Sequence, residues 1–283
     1  MKRLIVTGDD FGLAVPVNEA IEEAHRHGIL TTASLMVGAA AAEDAVARAR
    51  RLPSLNVGLH LVLVEGAPVL PPEQLPDLVD PDGGFSTKLV TAGIKFFFRP
   101  GVRRQLTAEI RAQFEAFRKS GLLLDHVNGH NHMHLHPTVL RLILEIGREY
   151  GLKAVRVPFE PALPSWRAAG SGLISRAWAT ACLSPWTSLL KWRLRRAGIR
   201  YNDYVFGLHD TGRLNPRLVL KWLSYLPDGV TEWYFHLATR RCPELTMTMP
   251  EYQHEEEFHL LTSPIVRHAV TAAGIRRVAF SEL

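Results

Sequence analysis

The sequence predicts an α/β fold, a (β/α) barrel formed as one domain over residues 1–283, and three observations lead there. Apolar, β-branched runs alternate with stretches of helical periodicity from end to end, the order that builds a mainly parallel sheet. Polar residues gather where the apolar runs stop, at Asp9 and Asp10, His60, His130 and His236, and in barrels the C-terminal ends of the strands carry the catalytic groups. Finally, no GxGxxG or GxxxxGK is present, whereas an open doubly wound sheet commonly has a glycine-rich phosphate loop after its first strand. That absence also argues against nucleotide chemistry.

In chain order, residues 3–8 read as a strand and 17–27 as a helix that Gly28 stops. Strands at 31–37 and 56–63 enclose a helix at 40–51. The rhythm then breaks at 65–105, where the span 65–84 is rich in proline and in Asp-Gly and Gly-Gly turn signals, the composition of an insertion over the barrel mouth. A helix at 107–120, a strand at 125–128 and a helix at 138–150 follow, the last opened by Pro137, which suits a first helical turn. Residues 154–158 read as a further strand. A second insertion covers 160–200, where Trp178, Trp186 and Trp192 interleave with Arg193, Arg195 and Arg196. Strands at 203–206, 232–236 and 277–280, with helices at 216–226 and 255–273, complete the series.

Composition narrows the class. A hydrophobic content of 47% with 22% charged residues describes a chain that buries a substantial core. Cys182 and Cys242 stand far apart without CxxC spacing, so they read as free thiols of a reducing compartment. The basic N-terminus leads into an apolar run too short for a signal peptide, and no stretch approaches the roughly twenty apolar residues of a membrane span. These features together imply a cytoplasmic protein. The net charge of +5 favours an anionic contact. Nucleic acid is not expected, because no recognised binding module appears.

The chemistry lies at the strand ends. Two adjacent carboxylates repel unless a cation or proton intervenes, and a divalent metal bound by one of Asp9 and Asp10 would leave the other to accept a proton from water; a solvated turn or helix cap is the plain alternative. His60 sits in the apolar run NVGLHLVL, where a hydrogen-bonded core histidine is the common explanation. The segment HVNGHNHMHLHP supplies His126, His130, His132, His134 and His136. In an extended chain His130 and His132 would both face the barrel mouth, and two imidazoles with one carboxylate leave open metal positions. His236 ends the strand EWYFH and suits protonation of an amine leaving group. Arg156 is placed to hold the carboxylates or the substrate, His132, His209 and Asp210 are candidates to touch the substrate or to support the ligand residues, and His25, His27, His254, His259 and His268 read as surface residues on helices.

These motifs resemble a known family. TGDDFG near the start, VGLH at residue 60, NGHNHMH followed by HP, and LLTSP before the last helix are similar to the YdjC-like carbohydrate deacetylases, which include chitooligosaccharide deacetylases. The segments GLHLVLVEGAPVLPP and KFFFRPGVRRQL most resemble the hopanoid-biosynthesis-associated members. The resemblance implies a distorted TIM-like barrel and a divalent cation, Zn2+ or Mg2+, on Asp10, His60 and His130. It also implies Asp9 as base, His236 as acid and an N-acetylglucosaminyl lipid or oligosaccharide as substrate. Asn128 replaces an Asp and Leu237 replaces a Pro found in many members. A lipid substrate would give the basic aromatic stretches, including Phe96, Phe97, Phe98, Arg99, Arg103 and Arg104, a peripheral contact at the inner membrane face. A homodimer stays open. The competing readings are an amidohydrolase-type barrel, whose HxH ends its first strand, and a non-catalytic lipid-binding protein; a serine hydrolase lacks its GxSxG here.

Overall fold

The computed structural model describes residues 2–283; Met1, which the expected domain span includes, lies outside them. The apolar run at the N-terminus becomes β1 (Lys2–Phe11), buried from Leu4 onward. Then come α1 (Val15–His27), β2 (Thr32–Leu35), α2 (Ala42–Arg50), β3 (Asn56–Leu61), α3 (Leu89–Phe98), α4 (Pro100–Lys119), β4 (Leu124–Gly129) and α5 (Pro137–Gly147). The second half holds α6 (Ala162–Ala169), α7 (Leu173–Ala197), β5 (Tyr204–Phe206), α8 (Pro216–Tyr225), β6 (Gly229–Phe235), α9 (Pro243–Thr248), α10 (His254–Thr262), α11 (Pro264–Ala272) and β7 (Arg276–Arg277). The strands are parallel and run in the order β4-β3-β2-β1-β6-β5, with β7 against the start of β1.

This sheet curls into an incomplete barrel, a distorted TIM-like fold, and the alternation of side chains divides it into two faces. On β1, Leu4 and Val6 join the large cluster beneath the helices, whereas Ile5 packs with Ala154, Val230, Val278 and Phe280 in a small plug inside the curl. Thr7, the next inward residue, donates its hydroxyl to Glu232, and Asp9 follows. On β6, Trp233 packs outward against Trp222 of α8, while Val230 and Glu232 point inward. The interior is therefore apolar at the bottom and increasingly polar toward the C-terminal ends of the strands.

Three expected elements differ. Residues 154–158 make no regular strand: Ala154 and Val155 form isolated bridges to Arg200 and Val127, the Val157 amide donates to the Asn202 side chain, and Pro158 has no N–H to donate. This irregular segment nevertheless spans the gap between β4 and β5. The helix expected over 255–273 is two, because Pro264 holds Ser263 in extended geometry, φ −61° and ψ 125°. The strand expected at 277–280 shrinks to β7, and the chain then turns into a 3-10 segment that buries Phe280. The two expected insertions hold a loop followed by α3, and then α6 and α7.

Gly58 permits the closest approach inside the curl, since a Cβ there would lie 2.4 Å from the His126 ring and 2.6 Å from its carbonyl oxygen. Gly58→Ala is therefore expected to lower the stability to urea by about 1–3 kcal/mol; an unchanged midpoint would mean that β3 and β4 do not meet this closely.

Candidate active site

Asp9 and Asp10 are neighbours on a strand, so regular geometry would send one inward and the other to the helices. The chain avoids this by taking Asp10 into the left-handed region at φ 60°, where the register of β1 against β2 slips between Gly8 and Phe11. Such a conformation costs a non-glycine residue about 1–2 kcal/mol. In return both carboxylates reach the top of the barrel interior, 2% and 1% exposed.

Asp10 Oδ1 lies 3.3 Å from His60 Nε2 and 3.3 Å from His130 Nδ1, and the two ring nitrogens are 3.3 Å apart. Neither Asp10 oxygen has a hydrogen-bond partner. His60 Nδ1 donates to Asn128 Oδ1 at 2.7 Å, which leaves its Nε2 as a lone pair facing a carboxylate. The Asn128 amide is oriented by its nitrogen, which donates to Ser34 and to Asp9. The Asp10 carboxylate and the His60 lone pair are both electron-rich and repel each other in this buried triangle. Ligand atoms about 2.0–2.2 Å from a shared cation at tetrahedral or octahedral angles stand roughly 3–3.5 Å apart, so this donor set fits one divalent cation. Asn128 thus does orienting work that needs no carboxylate.

Asp9 has a different partner. The Arg156 guanidinium is fully buried and grips both Asp9 oxygens, at 2.6 and 2.9 Å, while donating to both oxygens of Glu232 at 2.9 and 2.7 Å. Burial pushes the Asp9 carboxyl up, but the charge and the hydrogen bonds of Arg156 outweigh it and hold Asp9 well below the ordinary carboxylate range. Of the two roles expected for Arg156, the structure places it on the carboxylates.

A cavity of about 320 Å³ opens above these groups, and Asp9, His60, Glu65, His130, His132, Tyr234, His236 and Tyr252 are among its walls. His236 follows Tyr234 on the inward side of β6; burial lowers its pKa, and Asp10 and Asp9 oppose that shift. Its peptide is clamped by α10: the backbone N–H donates to Glu257, and the carbonyl accepts from His254 Nδ1 at 2.9 Å. His254 is thus buried, and not the surface residue its helical position suggested. His130 and His132 share the cavity, but not through an extended chain. Residues 130–135 wind into a 3-10 turn with Asn131 and His132 left-handed, at φ 50° and 54°. His132 stands apart from the triangle, its ring held neutral by burial and by Arg156 with a pKa of about 3.

His209 and Asp210 do not line this cavity. Asp210 is drawn into an ion pair with Arg176 at 2.6 Å, and the His209 backbone N–H donates to buried Glu160. Glu232, Glu65 and Glu257 escaped the sequence reading. Glu232 is a charged residue within an apolar strand, EWYFH, a pattern that marks a buried ion pair. Glu65 ends an apolar run, takes φ 50° and lies 4.0 Å from His130 Nε2. Glu257 carries no such mark, being one of three consecutive glutamates.

Comparison with known proteins places this geometry among relatives. The family model described as YdjC-like protein matches residues 3–272. The carbohydrate deacetylase of Homo sapiens is 34% identical over 99% of this chain and 91% of its own length, and that of Mus musculus is 30% identical over 99% and 94%. The carbohydrate deacetylase of Brevibacillus brevis is 40% identical over 56% of this chain and 60% of its own length, so that match spans about three-fifths of the relative. A crystal structure of a candidate cellobiose-phosphate cleavage protein from Enterococcus faecalis superposes with a TM-score of 0.76 at 25% identity, covering 99% of this chain and 98% of that one.

The clamp on His236 has a pH signature. Burial raises the Glu257 pKa from 4.5 to about 8. Below the lower value the carboxyl is protonated in both folded and unfolded chains; between the two values only the unfolded chain ionises, so stability falls as pH rises. Glu257→Gln is therefore expected to gain stability relative to the parent from pH 5 to pH 8 in urea titrations. A difference that stays constant over that range would contradict the buried, protonated carboxyl.

Proposed function

This chain belongs to the YdjC-like protein family, and from that we propose that it is a carbohydrate deacetylase hydrolysing the N-acetyl amide of an N-acetylglucosamine unit. The observation that carries the reading is the cation-shaped triangle of Asp10, His60 and His130 beside an arginine-held Asp9. Relatives of nearly full length that bear the name carbohydrate deacetylase support it.

Asp10, His60 and His130 would hold a divalent cation, and two imidazole donors favour zinc over magnesium. When bound, such an ion polarises a carbonyl and lowers the pKa of water. The remaining roles fall to side chains. Asp9 accepts the proton of the attacking water. Arg156 keeps Asp9 ionised and aimed, and because Arg156 also serves Glu232, its charge is divided and Asp9 retains more basicity than a sole arginine partner would leave. His236 delivers a proton to the departing amine, and burial makes its imidazolium readier to release it. Tyr234, Tyr252 and His132 wall the cavity and shield these transfers from bulk water. The products are acetate and a glucosamine unit.

For the acceptor we favour a hopanoid glycolipid over a chitooligosaccharide, on the strength of the segments GLHLVLVEGAPVLPP and KFFFRPGVRRQL. Acetate release from an N-acetylglucosaminyl lipid and from chitobiose, each before and after chelation, discriminates the two. Chelation is expected to stop turnover, and Asp9→Asn to reduce it by about 10²–10⁴-fold while metal content stays near that of the parent. Full activity in Asp9→Asn would remove Asp9 from the role of base.

A further inference from the structure

Residues 83–108 and 161–202 hold twelve of the 33 basic residues and none of the 28 acidic ones, so the rest of the chain is net negative. The same two stretches carry eleven of the sixteen large hydrophobic side chains that are exposed among the described residues. Arg176 among them is buried and paired with Asp210; the other eleven basic residues and the exposed apolar side chains are thus segregated together along the chain.

The fold brings α3 of the first stretch and the middle of α7 of the second to one groove. Helices α3 and α7 flank a groove of about 430 Å³ floored by residues 132–137, with Leu89, Val90, Phe97, Met133, Leu183 and Trp186 in its lining. Only His132 and His136 contribute polar side chains to that lining. His132 also walls the catalytic cavity, so groove and cavity share a partition. Val90 in this lining is 78% exposed, and beyond the groove Phe98 is 77% exposed on α3, and Ile174 and Trp178 are 86% and 72% exposed on α7. Lys88, Arg99, Arg104, Arg195 and Arg196 are exposed on the same segments. Phe96, expected among the contact residues, is 1% exposed and faces the core instead.

We propose that this face docks on the surface of an anionic lipid bilayer, with the apolar side chains in the headgroup boundary, the basic ones at lipid phosphates and the catalytic cavity opening alongside. Charge decides the occupant. A second copy of the chain would set one positive face against another, whereas an anionic surface is complementary to it. The aliphatic side chains Val90, Ile94, Leu173 and Ile174 have no ring to stack on nucleic-acid bases but enter hydrocarbon readily. No helix among the described residues is long and apolar enough to cross a membrane, so this contact lies on the bilayer. Delivery of the substrate to the cavity rests on the deacetylase reading; docking does not, so the two fail independently.

The test is co-sedimentation of the full chain with phosphatidylglycerol-rich vesicles and with pure phosphatidylcholine vesicles. Binding is expected to the former alone, weakening as salt rises. The double variant Phe98→Glu/Trp178→Glu, altered only at exposed positions, should bind at least about tenfold more weakly, with an unchanged thermal midpoint and unchanged circular dichroism. Failure of the parent to sediment with phosphatidylglycerol, or undiminished binding of the double variant, overturns the proposal. So does a lipid-free dimer that the double variant dissociates, which would give this face to a second copy of the chain.

Discussion

Two carboxylates on adjacent residues cannot be buried side by side without countercharge, and the top of this barrel is arranged around that constraint. Asp9 is answered by a guanidinium that is itself fully buried. Asp10 is answered by nothing in the chain except two imidazoles, one of them presenting a lone pair. The two acids therefore differ in their surroundings: the protein itself keeps Asp9 anionic, whereas Asp10 belongs to a donor set that fits a cation. Removing one partner from a buried ion network costs about 3–5 kcal/mol, so Arg156 matters to the fold as well as to the chemistry. Asn128 joins the halves, since a single amide accepts from His60 and donates to Asp9.

Most of the fold was legible because a parallel sheet buried on both faces leaves continuous apolar runs, and β1, β3 and β6 are such runs. Less visible were features set by single backbone groups. Residues 154–158 have the composition of a strand, but Pro158 and the Asn202 side chain divert their hydrogen bonds. One proline divides the last long helix, and two left-handed residues turn the histidine segment away from the extended form that its alternation suggested.

The candidate site was legible in part for the same reason. Asp9, Asp10, His60, His130 and His236 interrupt apolar runs and stand out. The sequence pattern could not show that Asp10 leaves regular strand geometry to face the same way as Asp9, because that depends on one dihedral angle. Nor could it show which acid Arg156 meets, since the partners lie 147 and 76 residues away. His209 and Asp210, adjacent to polar neighbours and a glycine, looked like site residues, but Arg176 and Glu160 engage them outside the cavity wall.

If Asp10, His60 and His130 form one cation site and Asp9, a single residue away, stands outside it, a bound ion depends on the Asp10 carboxylate. Metal content per chain, measured by mass spectrometry on the purified full-length protein and on Asp10→Ala, tests this most directly. One divalent ion per chain in the parent and loss of most of it in Asp10→Ala is the predicted result. Stoichiometric metal retained in Asp10→Ala would mean that the ion is not held by this triangle.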